Sequence, residues 1–274
     1  MGILAGQVAL VTGAGRGFGR AIAQRLAAEG ARVALAARST GQLEEAAQAI
    51  QSAGGEALAF ACDVTDPGSI SAALSDVQAR LGPVDLLISN AGVPGPFGPL
   101  WEVDPQEWWR AQEIHIRAPF LLMHGVLPGM VERGRGRVIC VSAKAARIVA
   151  PHLSAYCTGK IAQNRLVAEA AAELAGTGVS AFAIDPGFVP TQLARETMED
   201  AAAQKYLGGM VDRLKERVDD PSAQDDLARC ARRCLDLASG RYDDLSGGYY
   251  ELPDDLDEAL AEKQAATADQ SSSG

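Results

Sequence analysis

The sequence predicts one α/β domain carrying a doubly wound parallel sheet, and three observations lead there. Short aliphatic runs alternate with longer helical patterns, the mark of successive βαβ units. The 274 residues suit one such domain, and no linker, repeat or shift of composition divides them. The chain is 47% hydrophobic, poor in aromatics and rich in alanine and glycine, which supplies a sizeable core of small and aliphatic side chains.

Taken in order, residues 7–12 read as the first strand and 17–29 as the helix after it. Residues 32–37 form a second strand and 42–53 an alanine- and glutamate-rich helix. A strand at 57–62, a helix at 67–81 and a buried strand at 84–89 follow, the last entered through the Gly82-Pro83 turn. With Trp101 ahead of it, 105–131 is a long helical region, kinked or interrupted near Pro119 because proline removes a backbone donor. A strand at 137–141, a long helix at 155–176 and a strand at 179–184 resume the rhythm. Residues 192–220 break it: they are charged, helical in pattern and placed after a Pro-Gly turn, as suits a mobile lid. A helix at 221–239 and a closing strand at 247–252 complete a domain spanning 1–253. Residues 254–274 are an acidic, then polar extension, expected to be partly disordered.

A formal charge of −10, from 35 acidic and 25 basic residues, repels nucleic acid and anionic membranes, so neither is an expected partner. Cys230 and Cys234 lie one helical turn apart, but no nearby His or Cys completes a metal set. They read as buried thiols, and no metal site is expected. The first apolar run, residues 8–11, is too short for a signal or a span, and a cytoplasmic location is expected.

The first strand runs through Thr12-Gly13-Ala14-Gly15-Arg16-Gly17-Phe18-Gly19 directly into a helix. Glycines there permit a tight turn and a close approach of backbone to a pyrophosphate, while the helix N-terminus offers N–H groups and a favourable dipole. The second strand ends Ala36-Ala37-Arg38, where an NAD-binding chain would offer an acid to the ribose hydroxyls. An arginine instead suits the 2′-phosphate of NADP, and Arg16 is placed to close on it from the other side.

These motifs resemble the short-chain dehydrogenase/reductases, over residues 6 to 252. The likeness continues in Asp63-Val64, Asn90-Ala91-Gly92, Tyr156-x-x-x-Lys160 and Pro186-Gly187 with Val189 and Thr191. It implies a Rossmann domain that binds NADP through Gly13, Arg16, Gly17, Phe18, Gly19 and Arg38. Asp63 and Val64 would lie at the adenine, and Pro186, Gly187, Val189 and Thr191 at the nicotinamide end. Asn90, Ala91 and Gly92 would contact the cofactor, and Lys160, beside Tyr156, would grip the nicotinamide ribose.

Tyr156 and Lys160 share one face of a predicted helix. A phenol can donate a proton to a carbonyl oxygen, and an ammonium one turn away eases its proton exchange. In the family this pair is catalytic. The family's serine falls here at Ala143 and its asparagine at His115. A methyl at 143 removes a polarising contact to the substrate oxygen. Ser142 is adjacent but points to the other face of an extended segment, unless a bulge brings it round. His115 suits either a proton relay or plain packing, and His152 and Ser154 precede the tyrosine as weaker leads for substrate contacts.

Three activities stay open: an NADP(H)-dependent ketone reductase or alcohol dehydrogenase, a specialised enzyme of other reductive or non-redox proton-transfer chemistry, and a non-catalytic NADP-binding protein. The substrate is a small molecule, with Phe97, Trp101, Leu153, Tyr206 and Met210 as candidate pocket walls. The resemblance implies a homodimer or homotetramer, associating through the helices at 105–131 and 155–176.

Overall fold

The computed structural model describes residues 2–272. Seven strands, β1 (Val8–Thr12), β2 (Arg32–Ala37), β3 (Glu56–Ala61), β4 (Leu86–Ser89), β5 (Gly136–Val141), β6 (Val179–Ile184) and β7 (Tyr249–Tyr250), form one parallel sheet in the order β3-β2-β1-β4-β5-β6-β7. Successive strand residues face opposite sides, and the two sides build two cores. Ala9, Val11, Val33, Leu35, Ile139 and Ile184 pack against α1 (Gly17–Ala28), α2 (Thr40–Ser52) and α10 (Ser222–Ala238). Val8, Leu10, Ala34, Val138 and Ala181 face α3 (Pro67–Arg80), α5 (Ala118–Glu132) and α6 (Ser154–Glu173). This is the doubly wound Rossmann arrangement. Its strand order reverses at β1, so a crevice opens beyond the C-terminal ends of β1 and β4.

Helix starts follow their capping residues. Asp66 accepts from the backbone N–H groups of Gly68 and Ser69 ahead of α3, and Asp104 accepts from Glu107 ahead of α4 (Pro105–Gln112); each is followed by a proline. The long helical region is broken earlier than Pro119. A π segment, Glu113–Arg117, joins α4 to α5, and Pro119 sits in the first turn of α5, where its missing N–H costs nothing. The 28-residue run Pro105–Glu132 is long and apolar enough to cross a membrane by composition, yet 44% of its most apolar stretch is buried inside the fold.

Three expectations change at the margins. The closing strand shrinks to Tyr249–Tyr250, because Gly247 takes φ +91° and turns the chain before it. Trp101 lies outside any helix and is 84% exposed. The C-terminal extension, expected to be partly disordered, is helical over Leu256–Ser272 (α11). Leu256 is buried with Ala259 and Leu260 against the first core, and the Tyr242 hydroxyl donates to Asp257 Oδ1 at 2.8 Å. Residues 273–274 lie outside the described residues.

The segment after the Pro-Gly turn folds as three helices, α7 (Gln192–Glu199), α8 (Ala201–Tyr206) and α9 (Gly208–Val218). They stand over the mouth of the crevice: Leu193, Tyr206 and Met210 line it.

Candidate active site

A single cleft of about 1440 Å³ runs along the C-terminal edge of the sheet. One half is made of backbone turns. Gly13 and Gly17 take φ +63° and +54°, conformations that disfavour a side chain, and a Cβ on Gly15 would meet Gln42 Cβ at 2.9 Å. Arg16 occupies the N-cap of α1 without a side-chain capping bond, so no side chain of its own competes for the first-turn N–H groups. Thr12 and Asn90 clasp the crevice: Asn90 N and Ala91 N donate to Thr12 Oγ1 at 3.0 and 3.1 Å, and Asn90 Nδ2 donates to the Thr12 carbonyl at 2.9 Å. At the far end Asp63 Oδ1 accepts from Thr65 N and Thr65 Oγ1 at 2.9 and 2.7 Å, which holds its carboxyl below the usual range. Arg38 is exposed on the same cleft.

This half fits a nicotinamide dinucleotide: a glycine cradle that a Cβ would fill and an uncapped helix start, with Arg16 and Arg38 at its rim. Gly13, Arg16, Gly17, Phe18, Arg38, Asp63, Val64, Asn90, Ala91, Gly92, Pro186, Gly187, Val189 and Thr191 all line the cleft. Gly19 does not. A Cβ there would run into the Gly13 carbonyl oxygen and lie 2.6 Å from Asn90 Nδ2, so its glycine serves packing of helix on strand. Arg16 is paired with Glu196 of α7 at 3.2 Å, which ties the glycine turn to the lid.

The other half is made of buried and half-buried side chains. Tyr156 and Lys160 project from the start of α6 into the cleft, with Lys160 Nζ 5.7 Å from the centroid of the Tyr156 ring. Lys160 Nζ donates to the Val141 carbonyl at 2.8 Å and to Gln163 Oε1 at 3.3 Å, leaving a third N–H. Burial lowers its pKa to about 8, against opposing pulls from Cys140 and Asp185. Burial raises the Tyr156 phenol, and the Asp185 carboxylate raises it further, so the group is held as a proton donor. Ala143 and Ser142 both line the cleft; Ser142 is 2% exposed and its hydroxyl donates to the Lys160 carbonyl at 3.4 Å.

His115 sits within the π segment, fully buried and edge-on to Tyr156 with ring centroids 5.3 Å apart. Its Nε2 lies 2.8 Å from the Val93 carbonyl, which requires a proton on that nitrogen, and burial pushes its pKa down to about 3. It is a neutral imidazole that is not among the residues lining the cleft and reaches the site only through its edge contact with Tyr156. His152 takes φ +69° and stacks on Tyr206 of the lid at 5.0 Å. Phe97, Leu153, Tyr206 and Met210 line the cleft as expected; Trp101 does not, and instead borders a shallow surface depression with Val149 and Ile161. Ser154 is likewise outside the cleft and accepts from Trp108 Nε1 at 3.2 Å.

Two residues escaped the sequence reading. Asp185, the last residue before Pro186, accepts from Lys144 N at 3.0 Å, and its charge reaches both Tyr156 and Lys160. Arg217 of α9 donates to the Phe188 carbonyl at 3.1 Å and pairs with Asp226 of α10 at 2.7 Å and with Asp220, which anchors the lid to the turn at Pro186. Position beside Pro-Gly was the available signal for Asp185; Arg217 had none, because its partners are set by tertiary folding.

Comparison with known proteins adds to this geometry. A model of the short chain dehydrogenase family matches residues 7–202. A short chain dehydrogenase of Pseudocercospora fijiensis is 35% identical over 267 residues, covering 96% of this chain and 85% of that protein. Among solved structures, a metagenomic short-chain oxidoreductase in complex with NADP is 40% identical, covering 68% of this chain and 85% of that one, with a TM-score of 0.65. A 7α-hydroxysteroid dehydrogenase complexed with NADH and a 7-oxo bile acid conjugate is 27% identical, covering 90% and 93% of the two chains, with a TM-score of 0.76.

Proposed function

The chain belongs to the short-chain dehydrogenase family, and on that premise we propose that it is an NADP(H)-dependent oxidoreductase interconverting a ketone and an alcohol, with Tyr156 and Lys160 as its catalytic pair. The observation that carries the reading is convergence: the glycine turn, Arg38 and the Tyr156–Lys160 pair open on one cleft. Bound NADPH supplies a hydride to the carbonyl carbon. Tyr156, its proton retained by burial, donates to the oxygen that becomes an alkoxide. Lys160 stands ready to return a proton to the phenolate and to hold the nicotinamide ribose with its remaining N–H. His115 Nε2 is committed to Val93, so its ring positions Tyr156 by edge contact and takes no part in proton transfer. The site is non-standard because position 143 offers a methyl where the family has a serine.

Arg38, with Arg16 in reach of the same end, favours NADP over NAD. Exposed Trp109, Phe120 and Ile161 lie on the helices through which a homodimer or homotetramer would form. The net charge of −10 supports a cytoplasmic small-molecule enzyme with neither nucleic acid nor an anionic membrane as partner. The test is a paired titration and assay: NADPH should bind at least about tenfold tighter than NADH and be consumed as an aryl ketone is reduced. Conversion of substrate at constant NADPH absorbance would move the chain to non-redox chemistry, and tight binding without turnover to a binding role.

A further inference from the structure

We propose that the substrate brings its own second hydrogen-bond donor: it is a flat aryl ketone with a hydroxyl ortho to the carbonyl. This rests on the reductase reading above and names the substrate class of the same site.

A carbonyl oxygen accepts at two lone pairs, and Tyr156 supplies one donor. No hydrogen bond occupies the Tyr156 hydroxyl among the described residues, so it is available to a ligand. Ser142 and two of the three Lys160 N–H donors are committed elsewhere, the third being the one assigned to the ribose; the buried Nδ1 of His152, a ring stacked on Tyr206, has no partner. Ser142 donates to the Lys160 carbonyl from a buried position, and Lys160 Nζ donates to Val141 and Gln163. Asp185 and the Nδ1 of His115 are acceptors, which cannot serve an oxyanion. Ala143, where the family has its serine, brings only a methyl to the lining of the same cleft. A developing alkoxide against a methyl lacks a donor whose loss ordinarily costs about 10²–10³ in rate.

A phenolic hydroxyl ortho to the carbonyl reaches that oxygen through a planar six-membered ring and strengthens as negative charge accumulates. The step balances. The carbonyl carbon takes the hydride that NADPH gives up, the oxygen takes the Tyr156 proton, and the ortho hydroxyl keeps its own.

The walls suit a planar ring. Phe97, Leu153, Tyr156 and Met210 belong to one apolar cluster, and the His152 ring is stacked on Tyr206 with planes 30° apart. His152 is the one non-glycine with positive φ among the described residues, so backbone strain is held where that wall is set.

The test uses 2′-hydroxyacetophenone, its 2′-methoxy analogue and 4′-hydroxyacetophenone with the wild-type protein and Ala143→Ser, each with NADPH. The wild type should favour the ortho-hydroxy ketone by about tenfold or more in kcat/KM over both others. Ala143→Ser should raise the other two by about tenfold or more and the ortho-hydroxy ketone by less than about threefold. An equal gain for all three, or no wild-type preference over the methoxy analogue, overturns the proposal; the second comparison holds even if Ala143→Ser fails to fold. Calorimetric titration of the NADP⁺-loaded wild type should show tighter binding of the ortho-hydroxy ketone than of the methoxy analogue, and equal affinities count against it. If NADPH binds and none of the three is reduced, the reductase reading beneath the proposal fails with it, a result distinct from turnover without ortho preference.

Discussion

The two halves of the cleft are built by different physics. The nucleotide half is backbone: glycines at positive φ, an uncapped helix start and a threonine–asparagine clasp between strand ends. The other half is side chain, buried or half-buried: a phenol, an ammonium, a neutral imidazole and a carboxylate, each shifted by desolvation or by another of the set. Backbone devices fail by clash and take binding with them. Of the titrating groups, the Tyr156 phenol should fail by losing its proton and leave binding in place, whereas Lys160 also holds the ribose.

The sharpest way to break that contrast is Tyr156→Phe. It should lower kcat by about 10²–10⁴ while leaving NADPH affinity within about threefold, as read by steady-state kinetics beside a fluorescence titration. Parallel loss of binding would mean that the halves are not separable. Arg38→Asp should act the other way. The NADPH-over-NADH ratio of kcat/KM should fall by about 10–100-fold, the worth of one charge-assisted phosphate contact, with kcat at saturating NADPH little changed.

Gly19→Ala sets a Cβ against the Gly13 carbonyl and Asn90. It should cost about 1–3 kcal/mol in urea denaturation and weaken nucleotide binding together with stability. The next test is pH. Burial lowers Lys160 from 10.5 to about 8. Between those values the unfolded chain binds a proton the folded chain has released, so this group's contribution to stability rises with pH; below about 8 both states are charged and the burial cost is felt in full. The stability advantage of Lys160→Met over wild type, measured without nucleotide, should therefore shrink from pH 7.5 to 10, by on the order of 3 kcal/mol at most. An advantage independent of pH would place the lysine's cost in packing. Smallest is Glu196→Gln, which releases Arg16 from a half-exposed ion pair and should change NADPH affinity by less than about 1 kcal/mol.

The same contrast governs what was legible in the sequence. Backbone devices announce themselves locally: the Thr12–Gly19 turn, Asn90-Ala91-Gly92 and Pro186-Gly187 marked their places because only glycine, proline or asparagine meets those demands. Strands β2 and β6 were bounded correctly because continuous aliphatic runs between turn residues leave no other reading. The interruption expected near Pro119 falls just ahead of it, as a π segment over Glu113–Arg117 that a proline does not by itself spell out; there His115 packs against α6, where Gly159 makes room for it. The C-terminal helix was missed because its acidic surface hides the few residues, Leu256, Ala259 and Leu260, that dock. Asp185 was invisible as a titrating neighbour, its effect on Tyr156 and Lys160 arising only when β6 is laid beside β5.

The central claim is that hydride would pass from a bound nicotinamide to a carbonyl carbon while Tyr156 protonates the carbonyl oxygen. The most direct measurement uses NADPH deuterated at the carbon that gives up hydride, with 2′-hydroxyacetophenone as substrate and the product read by mass spectrometry and NMR. The account predicts one deuterium on the carbinol carbon per NADPH consumed, and none with Tyr156→Phe on the same timescale. A product free of deuterium, or one formed while the NADPH stays intact, would contradict it.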